Sequence, residues 1–76
     1  MTDIEQDKEN KEKILSLKDG ESYIVPESDY GKAEVWLKNN VYFLFEIPFL
    51  GGTPMYVGSY RIYQINELIK TYESWT

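Results

Sequence analysis

The 76-residue chain contains neither cysteine nor histidine. Without cysteine it has no disulfide, no thiolate metal ligand and no cysteine nucleophile. Without histidine it lacks the commonest general base, the commonest metal ligand and the side chain that titrates near neutral pH. These absences exclude Ser-His-Asp and Cys-His catalysis and the usual zinc sites, so we expect a protein that is not an enzyme and that uses no metal and no cofactor.

Basic residues are scarce as well. Seven lysines and the single arginine, Arg61, stand against thirteen acidic residues and leave a net charge of −5. Because such a chain repels phosphate backbones, we expect no direct nucleic-acid binding. The acidity also permits a second interpretation, in which the protein is a phage or mobile-element inhibitor whose acidic surface blocks a basic site on a target protein.

Long apolar runs are absent. The longest purely apolar stretch, residues 42–45, is far too short to span a membrane, and the first residues lack the basic and apolar regions of a signal peptide. We therefore expect a cytoplasmic protein with no membrane contact. The length allows one domain, which we place at residues 10–76, preceded by a flexible acidic tail at residues 1–9.

Residues 33–60 carry the strongest structural pattern, three consecutive runs with strand composition. Asn39 and Asn40 lie between the first two runs and predict a two-residue hairpin turn, since asparagine tolerates positive φ. The predicted opposite pairs are Lys38 with Val41, Trp36 with Phe43, and Glu34 with Phe45. This register sends Glu34 and Glu46 to opposite faces of the sheet, which removes a carboxylate pair for acid/base chemistry.

Both faces of this sheet are predicted to be apolar, because side chains alternate along a strand. One face contains Trp36, Val41, Phe43, Phe45 and Ile47, and the other contains Ala33, Val35, Leu37, Tyr42 and Leu44. If Ile47 pairs with Met55, then Val57 joins the first face, Tyr56 and Tyr60 join the second, and Gly58 lies opposite Leu44. A bulge in the last strand would move its side chains to the other face.

Helical spacing is clearest at the C-terminus, where an apolar stripe is followed by Trp75, with Ser59 as a candidate N-cap. The stripe consists of Ile62, Ile65, Leu68, Ile69 and Tyr72. A shorter helical segment is predicted from about Asn10 to Gly20, and residues 22–25 form an edge strand that ends at Pro26. The expected fold is therefore α+β: a three- to four-stranded antiparallel sheet, a C-terminal helix packed on the Trp36 face and a short N-terminal helical segment.

The second sheet face then has no strongly amphipathic helix to cover it. We expect it to bind a protein partner, or to form a homodimer, in a non-enzymatic binding or regulatory module. Its predicted partner-binding residues are Val35, Leu37, Tyr42, Leu44, Tyr56 and Tyr60. Two alternatives remain open: the N-terminal segment covers this face through Ile14, Leu15 and Leu17, or a hollow at Tyr56, Gly58 and Tyr60 binds a small ligand or peptide.

Overall fold

A computed structural model describes the backbone of residues 3–27, 30–48 and 52–75 and, within these, the side chains of residues 8–26, 31–48 and 52–75. The fold is α+β, as predicted. Four antiparallel strands form one sheet in chain order, and one helix lies at each end of the described chain. The elements are α1 (Asp3–Leu15), β1 (Ser22–Glu27), β2 (Tyr30–Lys38), β3 (Val41–Glu46), β4 (Met55–Arg61), a 3-10 turn (Ile62–Gln64) and α2 (Ile65–Glu73).

The β2–β3 hairpin has the predicted turn and register. Asn39 and Asn40 adopt φ values of 53° and 63°, the left-handed conformation that a tight hairpin turn of this hand requires. Lys38 pairs with Val41, and the pairing continues through the two predicted pairs beyond it. A residue outside the hairpin also stabilises the turn, since the backbone N–H of Asn39 donates to Oδ1 of Asp19 at 2.6 Å.

The β3–β4 pairing follows the prediction at one end only. Leu44 lies opposite Gly58, but Phe45 lies opposite Tyr56, so that Val57 is an extra residue in β4. The expected pairing of Ile47 with Met55 is wrong, because this bulge shifts Met55 to a position opposite Glu46. One inserted residue therefore places Tyr56 on the face opposite to the predicted one.

Both helices pack on the face of the sheet that carries Val35, and not on the face that carries Trp36. The buried core consists of Ile14, Val25, Ala33, Val35, Leu37, Tyr42, Leu44, Ile65, Leu68, Ile69 and Tyr72. The predicted choice of face is thus wrong. Its physical reason lies in β2, where Glu34 and Lys38 alternate with the apolar core positions, and burying those charges under a helix would remove them from water.

Helix α2 contributes most of its predicted stripe to this core. Ile65, Leu68, Ile69 and Tyr72 are buried, and Trp75 packs against them from beyond the helix end. Ser59 is not the N-cap, because it pairs with Phe43 inside β4 and the 3-10 turn separates it from the helix.

Helix α1 begins at Asp3, earlier than the predicted start near Asn10. Ile14 is fully buried and Leu17 packs against the core, whereas Leu15 is exposed. The N-terminal segment therefore contributes to covering the Val35 face, as the first alternative expected. The predicted flexibility of residues 1–9 remains a prediction.

Strand β1 forms one edge of the sheet, as expected. It extends to Glu27, past Pro26, and the register shifts by one residue between Val25 and Pro26. A proline at an edge-strand bulge removes no ladder hydrogen bond that the sheet needs.

Candidate binding surface

The sheet face opposite the helices is uncovered by any described part of the chain, and we call it the open face. It consists of side chains at alternate strand positions: Ser22, Ile24, Glu34, Trp36, Lys38, Val41, Phe43, Phe45, Ile47, Tyr56, Ser59 and Arg61. Because the pairings are known, these side chains fall into successive rows across the strands.

The middle of the open face is aromatic. The rings of Phe45 and Tyr56 meet edge to face with centroids 5.7 Å apart, and the rings of Phe43 and Tyr56 are tilted at 6.5 Å. Such offset contacts hold the rings in fixed relative positions. Trp36 pairs with Phe43 across β2–β3 and completes what we call the aromatic cluster: Trp36, Phe43, Phe45 and Tyr56. Trp36 and Tyr56 remain 39% and 58% exposed, so the cluster is open to a ligand.

A shallow depression of about 500 Å³ lies at one side of the aromatic cluster. It is lined by Asp19, Gly20, Trp36, Lys38, Phe43 and Phe45. The Asp19–Gly20 corner is held against the sheet, since Asp19 accepts from the turn and the N–H of Gly20 donates to the carbonyl of Leu37 at 2.7 Å. Gly20 has a φ of 88°, a conformation in which a side chain would be strained. The wall of the depression is therefore preformed.

One end of the open face is cationic. Lys38 pairs with Val41, and Val41 pairs with Arg61, so that the two cations flank an apolar residue in a single row. Both are exposed, and no described residue holds either of them in an ion pair. Among the described strand side chains of the open face, Glu34 is the only acidic one, and it lies in the aromatic rows. Asp19, outside the strands, lines the depression together with Lys38.

The other end of the open face is aliphatic. A Cβ atom at Gly31 would lie 2.5 Å from Cγ2 of Ile24 and 3.0 Å from Cδ1 of Ile47, so these two side chains close over the bare backbone of this glycine. Ile24 is 52% exposed. The open face thus runs from cations through aromatic rings to aliphatic side chains.

Most of the predicted partner-binding residues do not reach a surface. Val35, Leu37, Tyr42 and Leu44 are buried under the helices, so their predicted exposure in the monomer is wrong. Burial raises the pKa of the Tyr42 hydroxyl above its ordinary value, and Tyr42 Oη lies 3.4 Å from the carbonyl of Ile14.

The two remaining tyrosines of that set lie on opposite faces. Tyr60 is partly buried on the helix side, where its hydroxyl is hydrogen-bonded to Oγ1 of Thr71 at 2.9 Å. Only Tyr56 belongs to the open face. The predicted hollow at Tyr56, Gly58 and Tyr60 does not form, because the bulge at Val57 separates Tyr56 from the other two.

The prediction missed the residues that do line the open face, chiefly Trp36, Lys38, Phe43, Phe45 and Arg61. A signal for them is present in β2, where two charged residues, Glu34 and Lys38, share the face of Trp36 and none shares the face of Val35. An apolar strand face that also carries charge is typical of a surface rather than of a core.

Glu34 and Glu46 lie on opposite faces, as predicted, and no cluster of three potential metal ligands occurs among the described residues. None of the described helices is both long and apolar enough to cross a membrane. The arrangement offers contact area and charge, which are the properties of a binding surface.

Comparisons of the chain with protein-family models, with curated proteins and with solved structures yield no match.

Proposed function

We propose that this protein is a non-enzymatic binding module that recognises another protein through its open face. The observation that carries the proposal is the aromatic cluster, which stays exposed in a domain whose two helices pack on the opposite sheet face. Aromatic residues are enriched at protein interfaces because they supply much contact area at little cost in side-chain entropy.

The size of the exposed patch supports this reading. The exposed parts of Ile24, Trp36 and Tyr56 alone amount to on the order of 300 Å², taking full side chains at about 150–250 Å². Exposed apolar patches of a few hundred Å² on a soluble domain tend to be functional. The lack of histidine and cysteine and the separation of Glu34 from Glu46 argue in the same direction, against catalysis at this surface.

The proposal can be tested by selecting binders from an unbiased random-peptide display library. Selected peptides are then measured against Trp36→Thr/Tyr56→Thr, a double variant that removes two rings and keeps strand propensity. We expect its affinity to fall at least tenfold. The matched control is Tyr63→Thr, because Tyr63 is 83% exposed and lies in the 3-10 turn outside the open face.

Thermal unfolding of each variant establishes that the fold is retained. Peptides whose binding is unaffected by the double variant would contradict the proposal, and so would a library that yields no specific binder. Sedimentation of the wild-type protein alone tests the homodimer: a dimer that the double variant dissociates would identify the bound protein as a second copy.

A further inference from the structure

The arrangement of rows on the open face points to the chemistry of the partner. We infer that the partner segment, on the proposed function, is an extended and acidic one: apolar side chains at alternate positions lie on the aromatic cluster, and a carboxylate lies between Lys38 and Arg61. The inference rests on three properties of the open face.

The first property is the spacing of the rows. Along a strand, side chains on one face repeat every two residues, roughly 6.6–6.8 Å apart. An extended segment lying along β2 and β3 has the same repeat. Its side chains at i, i+2 and i+4 therefore fall over three successive rows, those of Phe45 with Tyr56, of Trp36 with Phe43, and of Lys38 with Arg61.

The second property is the composition of those rows. The first two rows are aromatic, and the depression beside Trp36 and Phe43 accommodates a large apolar side chain. The third row presents two cations, separated by Val41, with no acidic residue in the row. Neighbouring strands are about 4.8 Å apart, so a carboxylate placed over Val41 lies within reach of both flexible side chains.

The third property is the location of charge in the whole molecule. The chain carries a net charge of −5, and the exposed acids of the helices, among them Glu9, Glu12 and Glu67, lie on the other side of the sheet. Two acids among the described residues lie on the side of the open face. Oδ1 of Asp19, beside Lys38, already accepts the N–H of Asn39, and Glu34 lies two rows away from the cations. Two-fold pairing of open faces would bring two acidic chains together. A nucleic acid binds to a run of cations, but this row presents only two cations. The net negative charge of the chain would also repel its phosphates.

The test uses two capped, fluorescein-labelled peptides that differ at one position. Each peptide has Phe at positions i and i+2, either Glu or Lys at position i+4, and Thr at the positions between them. Fluorescence polarisation measures both against the wild type, against Lys38→Glu/Arg61→Glu and against Lys13→Glu/Lys70→Glu. The last is the matched control, because it makes the same charge change on exposed helix residues.

We expect the wild type to bind the Glu peptide about tenfold more tightly than the Lys peptide. This preference disappears or reverses in Lys38→Glu/Arg61→Glu and is kept in the control. If charge reversal impairs folding, Lys38→Gln/Arg61→Gln replaces it and should abolish the preference. Added salt weakens the preference without abolishing Phe-dependent binding, because exposed charges are screened and apolar contacts are not.

Equal affinity for the two peptides, tighter binding of the Lys peptide, or a preference that survives loss of both cations would overturn the inference. Failure of both peptides to bind would do so as well, and so would tighter binding of an oligodeoxythymidine probe than of the Glu peptide. Open-face binders from the display library that show no acidic preference would refute the partner chemistry alone and leave the proposed function standing.

Discussion

The assignment of the two sheet faces can be tested with one substitution made at two positions. Val35 in β2 is fully buried beneath the helices, whereas Val57 at the β4 bulge is 41% exposed. Replacing each valine with alanine removes the same atoms from both sites. Any difference in the free energy of unfolding therefore reports the surroundings of the side chain.

Val35→Ala should be strongly destabilising. Loss of two methylene equivalents costs about 1.6 kcal/mol at ~0.8 kcal/mol each. The cavity left among fixed neighbours raises the total to roughly 2–3 kcal/mol. At about 4–8 °C per kcal/mol for a domain of this size, the melting temperature should fall by roughly 10–20 °C.

Val57→Ala should cost under about 1 kcal/mol, because much of this side chain is already in water and no enclosed cavity forms. Thermal unfolding followed by circular dichroism, with urea denaturation as a second measurement, gives both values. Equal losses at the two positions, or a larger loss at Val57, would refute the burial of Val35 beneath the helices. A domain of 76 residues has a total stability of about 4–11 kcal/mol, so the Val35 variant should still fold.

Three further predictions concern the supports of the fold. Asn10 is buried and accepts from the Tyr23 hydroxyl at 2.7 Å, so Asn10→Ala should cost about 1–3 kcal/mol in urea denaturation. Glu12→Ala at an exposed position of the same helix is the comparison, and no loss at Asn10 would show that α1 is not part of the folded core. Asn40→Val should destabilise the domain by about 1–2 kcal/mol, because φ at this position is positive, whereas Asn40→Gly should not. Equal melting temperatures of these two variants would contradict the turn geometry. Burial, with a smaller effect of Glu9, raises the pKa of Tyr23, and burial raises that of Tyr42, so both hydroxyls hold their protons more tightly when folded. Their contribution to stability should be constant below about pH 10 and be lost as the pH rises through the folded pKa values, so an unfolding free energy that increases in this alkaline range would contradict the burial of both hydroxyls.

Local signals in the sequence were sufficient to predict most secondary-structure elements and much of the strand register. The Asn39-Asn40 turn fixed the β2–β3 pairing, because left-handed backbone at two adjacent residues permits few other geometries. The spacing of Leu68 and Tyr72 identified the buried stripe of α2 in the same way. Both features depend on residues close together in the chain.

The choice of the covered face depends on distant parts of the chain and could not be derived from alternation in β3. Both faces of β3 are apolar, so the sequence of this strand is compatible with an amphipathic helix on either face. The bulge at Val57 was only partly indicated: Gly58 beside it is the kind of strand glycine that often marks a bulge, but it does not identify which residue is unpaired. The candidate site was misplaced for these two reasons, although the charges of β2 indicated the surface face.

The alternation of side chains in β2 also determines which substitutions affect the open face and which affect the core. Adjacent residues in β2 have different surroundings. Val35 and Leu37 are buried beneath the helices, whereas Trp36 and Lys38 line the depression on the open face. On the proposed function, a substitution at Glu34, Trp36 or Lys38 should alter recognition with little effect on folding. A substitution at Ala33, Val35 or Leu37 should do the reverse. If so, a new specificity is accessible by single replacements in β2 that leave the core intact.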